Sequence, residues 1–228
     1  MTHLSVVIPT LDAAAALPGC LATLAPARRA GLVDQVVVAD GGSGDATRTL
    51  ARQAGAVVVA SPPGRGRQLA AGARAAAGDW LLFLHADTRL APGWESAVRA
   101  FRDRPAAAER AGVFHLAFDE VSRGAARTAA LANWRTRRLG LPYGDQGLLI
   151  ARTLYDSLGG FPDLPLMEDV ALARRLGRRR LILLDATAVT SAARYRRDGW
   201  WRRSLQNLAV LGLYVLGLPP RHLKRLYG

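Results

Sequence analysis

Four short apolar runs alternate with helix-forming stretches in the first ninety residues, and this alternation restricts the chain to very few folds. The runs are LSVVIP (Leu4–Pro9), DQVVVAD (Asp34–Asp40), AVVVAS (Ala56–Ser61) and WLLFLHAD (Trp80–Asp87). Continuous apolar runs of this length, rich in valine and bounded by turn residues, read as strands buried on both faces. Between them lie AAAALPGCLATLAPARRA, a segment from about Ala46 to Ala54 that Asp45 can cap, and QLAAGARAAA closed by Gly78. All three have helical composition. Strand and helix in strict alternation predict an α/β fold, a parallel sheet with helices on both faces.

The second half is less regular. It predicts a helix from Pro92 to about Arg104, a strand at Gly112–Phe118, a helix around Ala125–Leu139 and a strand in GLLIAR. A helix then spans Leu166–Gly177 with Glu168 and Asp169 in its first turn, where the helix dipole favours carboxylates. RLILLDATAV gives a further strand, and two helices finish the chain. No internal repeat or long linker divides the 228 residues, so one domain is expected. Within it, residues 1–90 read as a nucleotide-binding half, 91–190 as an acceptor and catalytic half, and 191–228 as a basic helical tail.

The formal charge is +13, carried by arginine apart from Lys224. From Arg174 to Gly228 there are 13 basic residues against two acidic ones, Asp185 and Asp198, a net of +11. Such a tail suits a nucleotide diphosphate, nucleic acid or anionic lipid, and charge alone does not choose among them. A single cysteine, Cys20, excludes an internal disulfide, and the N-terminus has no secretory signal pattern, so the expected location is cytoplasmic. The longest apolar run, Leu208–Leu218, is short of the ~20 residues a spanning helix needs. It reads as a buried or membrane-surface helix.

Ligands of open α/β sheets bind beyond the carboxyl ends of the strands. Polar residues gather there: Thr10 and Asp12 after the first strand, Asp40 after the second, Arg65 and Arg67 after the third, His85 and Asp87 after the fourth. The first strand leads into PTLDAA and not a G-x-G-x-x-G turn, and the only lysine is at 224, so the dinucleotide and Walker phosphate signatures are both missing.

SVVIPTLDAA, VVVADGGSGDAT, GRGRQLAAGA, LLFLHADT and MEDVALARRL, in this order, resemble the inverting family 2 glycosyltransferases of GT-A fold. The resemblance covers roughly residues 4–177. HADTRL, GDQGLLI, GGFPDLPLMED and LGLPPRHLKRLY are most similar to a bacterial subgroup named for arsenosugar biosynthesis, or as selenodomain-associated transferases. It implies a Rossmann-like, mostly parallel central sheet, a nucleotide-diphosphate-sugar donor, expected to be UDP-linked, and a divalent cation, Mn²⁺ or Mg²⁺.

By the same resemblance Asp87 is the metal ligand, with His85 standing where the family's Asp-X-Asp motif has its first acid. Histidine there suits Mn²⁺ better than Mg²⁺. Pro9, Thr10, Asp12, Asp40 and Ala86 are expected around the nucleoside, and Arg65, Arg67, Gln68 and Arg194 beside the diphosphate. Gly41 stands where relatives often carry a second aspartate. Asp169 is the expected base that takes the acceptor's proton, with Glu168 as its neighbour or substitute. In TSAARYRRDGWWRR, Arg196, Arg197, Trp200 and Trp201 are further candidates to close over the pyrophosphate. Asp145 and Gln146 either line the acceptor site or form a plain turn. Four readings stay open: transfer to a small-molecule or lipid-borne hydroxyl, transfer to a polyprenyl phosphate at a membrane surface, nucleic-acid binding through the basic tail, and nucleotide-sugar binding without catalysis, prompted by His85 in the motif.

Overall fold

The computed structural model describes the backbone of residues 3–227 and the side chains of residues 3–223. Its strands are β1 (Leu4–Thr10), β2 (Gln35–Asp40), β3 (Val57–Ala60), β4 (Trp80–Phe83), β5 (Thr88–Leu90), β6 (Ala111–Phe118), β7 (Leu148–Ala151) and β8 (Leu181–Thr190). They form one sheet in the order β3-β2-β1-β4-β7-β6-β8-β5. The helices are α1 (Leu17–Arg29), α2 (Thr47–Gln53), α3 (Arg65–Ala75), α4 (Trp94–Arg102), α5 (Arg123–Leu139), α6 (Arg152–Ser157), α7 (Glu168–Leu176), α8 (Ala193–Asp198), α9 (Trp200–Val215) and α10 (Pro220–Tyr227). Gly228, the last residue of the expected helical tail, lies outside the described residues.

β3, β2, β1 and β4 are all parallel, with Val7 opposite both Val37 and Phe83. Leu4, Val6, Val7 and Ile8 are completely buried, as expected for a strand covered by helices on both faces. Beyond β4 the pairing becomes mixed: β7 runs antiparallel to β4 and β6, β8 is parallel to β6, and β5 is antiparallel to β8. The sheet is therefore mostly parallel, the α/β architecture of the GT-A fold.

Several boundaries differ from the sequence reading. The fourth strand stops at Phe83, four residues before Asp87. Leu84 N still donates to Val7 O, but Thr88 N then donates to His85 O at 3.1 Å, closing a turn that sends the chain into β5 at the far edge of the sheet. His85, Ala86 and Asp87 thus sit in a connection between two strands. α3 begins at Arg65, so Arg65, Gly66 and Arg67 form its first turn and not a loop. Asp45 lies one position outside the residue that caps α2, accepting from Thr47 N and from Ala14 N at 2.9 Å each. The tail holds three helices where two were expected, because Gly199 in a left-handed conformation (φ 83) separates α8 from α9, and Gly217 to Pro219 separate α9 from α10.

The opposite edge of the sheet, at the start of β4, is anchored by arginine. Arg152, at the start of α6, donates to the carbonyls of Gly78, Ala73 and Ala76 at 2.9, 3.1 and 2.6 Å, closing the C-terminal end of α3 and the entry to β4. Arginine-to-carbonyl bonds are charge-assisted, and the helix dipole adds to them. Arg152→Met should lower stability by about 2 kcal/mol, since three part-buried carbonyls lose their donor. Urea unfolding of the two proteins measures the difference.

Candidate active site

The carboxyl ends of β1 and β2 are tied together by Asp40. Its Oδ1 accepts from Thr10 Oγ1 at 3.1 Å and Ser43 Oγ at 2.5 Å, and its Oδ2 from the backbone N–H groups of Gly42 and Ser43 at 3.1 and 3.0 Å. Arg48 stands 3.8 Å from the same carboxylate. Asp40 is 2% exposed. Burial raises its pKa, but these hydrogen bonds outweigh it and leave the carboxyl below its ordinary value. With its lone pairs filled, Asp40 shapes the turn.

Gln68, on α3, donates its Nε2 to Thr10 O and Ala39 O at 2.5 and 3.1 Å, so it staples the same two strand ends from below. A Cβ at position 41 would lie 2.9 Å from that nitrogen. Gly41 therefore keeps space for Gln68. Asp12 adopts a left-handed conformation (φ 48), donates its N–H to Ser43 Oγ and accepts from Gly44 N at 2.8 Å. It remains exposed. Pro9 pairs with Ala39 inside the sheet, behind this rim.

Asp87 is exposed and its carboxylate makes no hydrogen bond or ion pair among the described residues, while its backbone carbonyl accepts from Ser191 N. His85 is different. Its Nε2 is buried without a partner, and a Cβ on Gly144 would collide with it. Burial, then the charges of Arg65 and Arg194, lower its pKa well below 6.5, so the ring is neutral. Ala86 is buried in the same turn.

Two further acids reach this edge from α7. Met167, in the left-handed region at φ 66, precedes them, a conformation that costs a non-glycine residue roughly 1–2 kcal/mol. Asp169 accepts from Gly144 N through Oδ2 and from Val170 N through Oδ1, both at 2.7 Å. Glu168 is only 1% exposed; Arg65 Nη1 lies 3.5 Å from its Oε1, which has no hydrogen-bond partner. Burial first, and then Asp169, push the Glu168 carboxyl up to about 7 against the pull of Arg65.

Asp145 completes the group. Its Oδ1 is buried with no partner, and burial together with the charges of Asp169 and Asp87 pushes it up to about 6, opposed by Arg135 and Arg65. Its neighbour Gln146 bonds Thr136 Oγ1 and Phe114 O and supports the turn from inside. Arg135, which the sequence reading did not single out, stacks 3.6 Å from the Tyr143 ring and donates to Leu141 O. A narrow apolar cavity of about 30 Å³, bounded by Leu69, Phe83, Phe161 and Leu172, backs Glu168 and Asp169 and keeps the medium around them poorly polarisable.

Asp87, Asp145, Glu168 and Asp169 thus share one edge, where Arg65 acts on both Glu168 and Asp145 and Arg135 acts on Asp145. A divalent cation fits there: Asp87 offers a free carboxylate. No group of three or more His, Cys, Asp or Glu among the described residues forms a cage. That suits an ion whose remaining ligands come from phosphate and water.

The basic candidates separate. Arg194 is exposed with no hydrogen bond or ion pair among the described residues, and its charge is felt at His85. Arg67 pairs with Asp163 at 2.6 Å. Arg196 pairs with Asp119 and Glu120, and Arg197 with Asp198. Trp200 stacks on Tyr195 and meets Phe118 edge-on, inside a packed aromatic cluster, so it does not close over a ligand; Trp201 points outward.

Residues 5–138, more than half of the chain, match Glycosyl transferase family 2. The chain belongs to this family. No curated protein matches the glycosyltransferase significantly. Its fold is shared with glucosyl-3-phosphoglycerate synthase from Mycobacterium tuberculosis. In the complex of that enzyme with Mn²⁺, UDP and glucosyl-3-phosphoglycerate, the TM-score is 0.61 at 21% identity over 96% of this chain and 81% of that one. In its complex with Mn²⁺, UDP and phosphoglyceric acid the TM-score is 0.62, with 21% identity over 96% and 80%. The complex with Mg²⁺ and UDP gives 0.61 at the same identity and coverage.

The raised carboxyl of Glu168 has a stability consequence. Between its ordinary 4.5 and about 7 the folded chain holds a proton that the unfolded chain has lost, so this group makes stability fall as pH rises through that window. Neutral His85 acts oppositely below 6.5, since only the unfolded ring is protonated there. The comparison with Glu168→Gln isolates the acid. The stability of wild type minus that of the variant should decline from pH 4.5 to 7, read from thermal unfolding at each pH.

Proposed function

We propose that this glycosyltransferase is a divalent-cation-dependent inverting enzyme that moves a sugar from a UDP-linked donor to a hydroxyl on a small-molecule or lipid-borne acceptor. The convergence of Asp87, Asp145, Glu168 and Asp169 on the carboxyl edge carries this reading. The Mn²⁺, Mg²⁺ and UDP bound by the synthase of the same fold support the choice of cation and nucleotide.

Asp87 would hold the cation, Mn²⁺ or Mg²⁺, which stabilises the charge that grows on the departing diphosphate. His85, its Nε2 sealed against Gly144, shapes the turn beside it in the geometry described, and only a rearranged loop would make that nitrogen a ligand. Arg194 offers an unengaged guanidinium to the diphosphate, and Arg65 and Arg67 stand on the first turn of α3 to assist it. Thr10, Asp12, Pro9 and Ala86 form the nucleoside side of the site, with Asp40 and Gln68 holding that wall in place.

Asp169 is the base. Each of its oxygens accepts one backbone N–H, which fixes the carboxylate and leaves lone pairs for the acceptor's hydroxyl proton. Glu168, covered and beside Arg65, positions that guanidinium. Residues 1–90 then serve the donor, 91–190 the acceptor and the chemistry, and 191–228 form the basic helical tail. The likeness to the arsenosugar and selenodomain-associated subgroup rests on the motifs alone. A polyprenyl-phosphate acceptor at a membrane surface is the second reading, favoured by the apolar outer side of α9; cytoplasmic residence with peripheral membrane contact fits both.

Calorimetric titration with UDP, GDP and dTDP should show micromolar, Mn²⁺-dependent binding of UDP that weakens at least about tenfold in Asp87→Ala. Asp169→Asn should keep that binding and lose about 10²–10⁴ in kcat. Absence of nucleotide binding in the wild type overturns the reading.

A further inference from the structure

α9 is amphipathic the wrong way round for a helix that faces water. Its exposed positions, Trp201, Arg202, Leu205, Leu208, Ala209, Gly212 and Val215, with Leu216 just past its end, recur at helical spacing along one face, and Arg202 is the only polar residue among them. Trp201 is 71% exposed, Leu205 62% and Leu216 85%. The polar residues of the same helix turn inward: Arg203 is buried, and Asn207 Nδ2 donates to Tyr195 OH at 3.0 Å.

α5 extends this surface. Gly124 abuts Trp200 and Thr128 Oγ1 lies 3.2 Å from Ser204 Oγ, so the contacts advance four residues on both helices and the two run side by side in the same direction. The exposed side of α5 carries Ala126, Ala130, Leu131 and Trp134, with Arg123 and Arg127 before them and Arg137 and Arg138 after. Arg127 lies over the Trp201 ring at 6.0 Å. The result is a continuous apolar surface with exposed tryptophans, with Arg127 set among the apolar side chains and further arginines at both ends of its α5 side.

We propose that the paired outer faces of α5 and α9 dock on an anionic lipid surface. Leucine and tryptophan side chains enter the headgroup boundary while arginines meet lipid phosphates at its edge. Charge favours this occupant over a second copy of the chain, because a symmetric self-interface would set the α5 arginines of one copy against those of the other. No described helix is long and apolar enough to cross a membrane, so the contact is peripheral. This docking does not depend on the assignment of sugar transfer, since the face lies outside the acid cluster.

The test is co-flotation of the full chain with phosphatidylcholine vesicles with or without phosphatidylglycerol, at low and high salt, for wild type and Leu205→Gln/Leu208→Gln. Wild type should float with the phosphatidylglycerol vesicles only, with its tryptophan emission shifted to shorter wavelength, and salt should weaken the association. The variant should lose about tenfold or more of that binding, with unchanged circular dichroism and unchanged UDP titration to show that it is folded. The proposal is overturned if wild type stays with the aqueous phase, or if the variant floats as well as wild type. It is equally overturned if the face mediates a dimer in sedimentation, or if a single-stranded oligonucleotide and not the vesicles binds in a manner dependent on Leu205 and Leu208.

Discussion

The site depends on how the chain turns at the carboxyl edge of its parallel strands. Parallel pairing brings the ends of β1, β2 and β4 to one side, but the turns that follow must be held in place without further sheet hydrogen bonds. Asp40 does this by accepting four hydrogen bonds, and Gln68 joins the same strand ends through their carbonyls. Both side chains are buried, where an unmade hydrogen bond is costly and a complete set fixes a single geometry. The exposed rim of Asp12 and the turn holding Asp87 inherit their positions from that knot.

Against this satisfied network stands an unsatisfied one. Glu168 and Asp145 each bury an oxygen without a hydrogen-bond partner, and burial, with the charge of Asp169 beside it, raises the pKa of both. Removing them would relieve desolvation and repulsion, so packing gives no reason for their presence. Met167 adds backbone strain directly before Glu168. Unfavourable conformation and unmatched charge in one place mark a site organised around something it must bind.

The parallel half of the sheet was legible because β1, β2 and β4 are buried on both faces and so read as unbroken apolar runs. β5 and α6 escaped notice: three residues, or six, are too few for a period to show. The first turn of α3 was hidden by composition, since Arg-Gly-Arg has loop character, yet Gly66 must be small because a Cβ there would strike the carbonyl of Pro162. Asp169 and Asp87 could be singled out from motif position. The burial of Glu168, and the choice of Asp145 over Gln146 as the residue that joins the acids, depend on long-range packing of α7 against the turn at Gly144, which local sequence does not encode.

The same limit applies to the arginines. As composition they suggested an anionic macromolecule, but many are spent on the chain's own backbone. Arg28 bonds the carbonyls of Ala54 and Gly55 after α2, Arg152 those after α3, and Arg175 those of Leu158 and Gly160 after α6. Each guanidinium satisfies acceptors that a helix end leaves open, from a neighbouring element, so it also fixes how the two elements meet. Others pair with Asp119, Glu120, Asp163 and Asp198. What remains is sorted by place. Arg194 acts on His85 at the site, and Arg123, Arg127, Arg137 and Arg138 lie along an apolar surface. An arginine excess spread in this way contributes to architecture first, and its functional share is set by the few side chains whose donors the fold leaves unused.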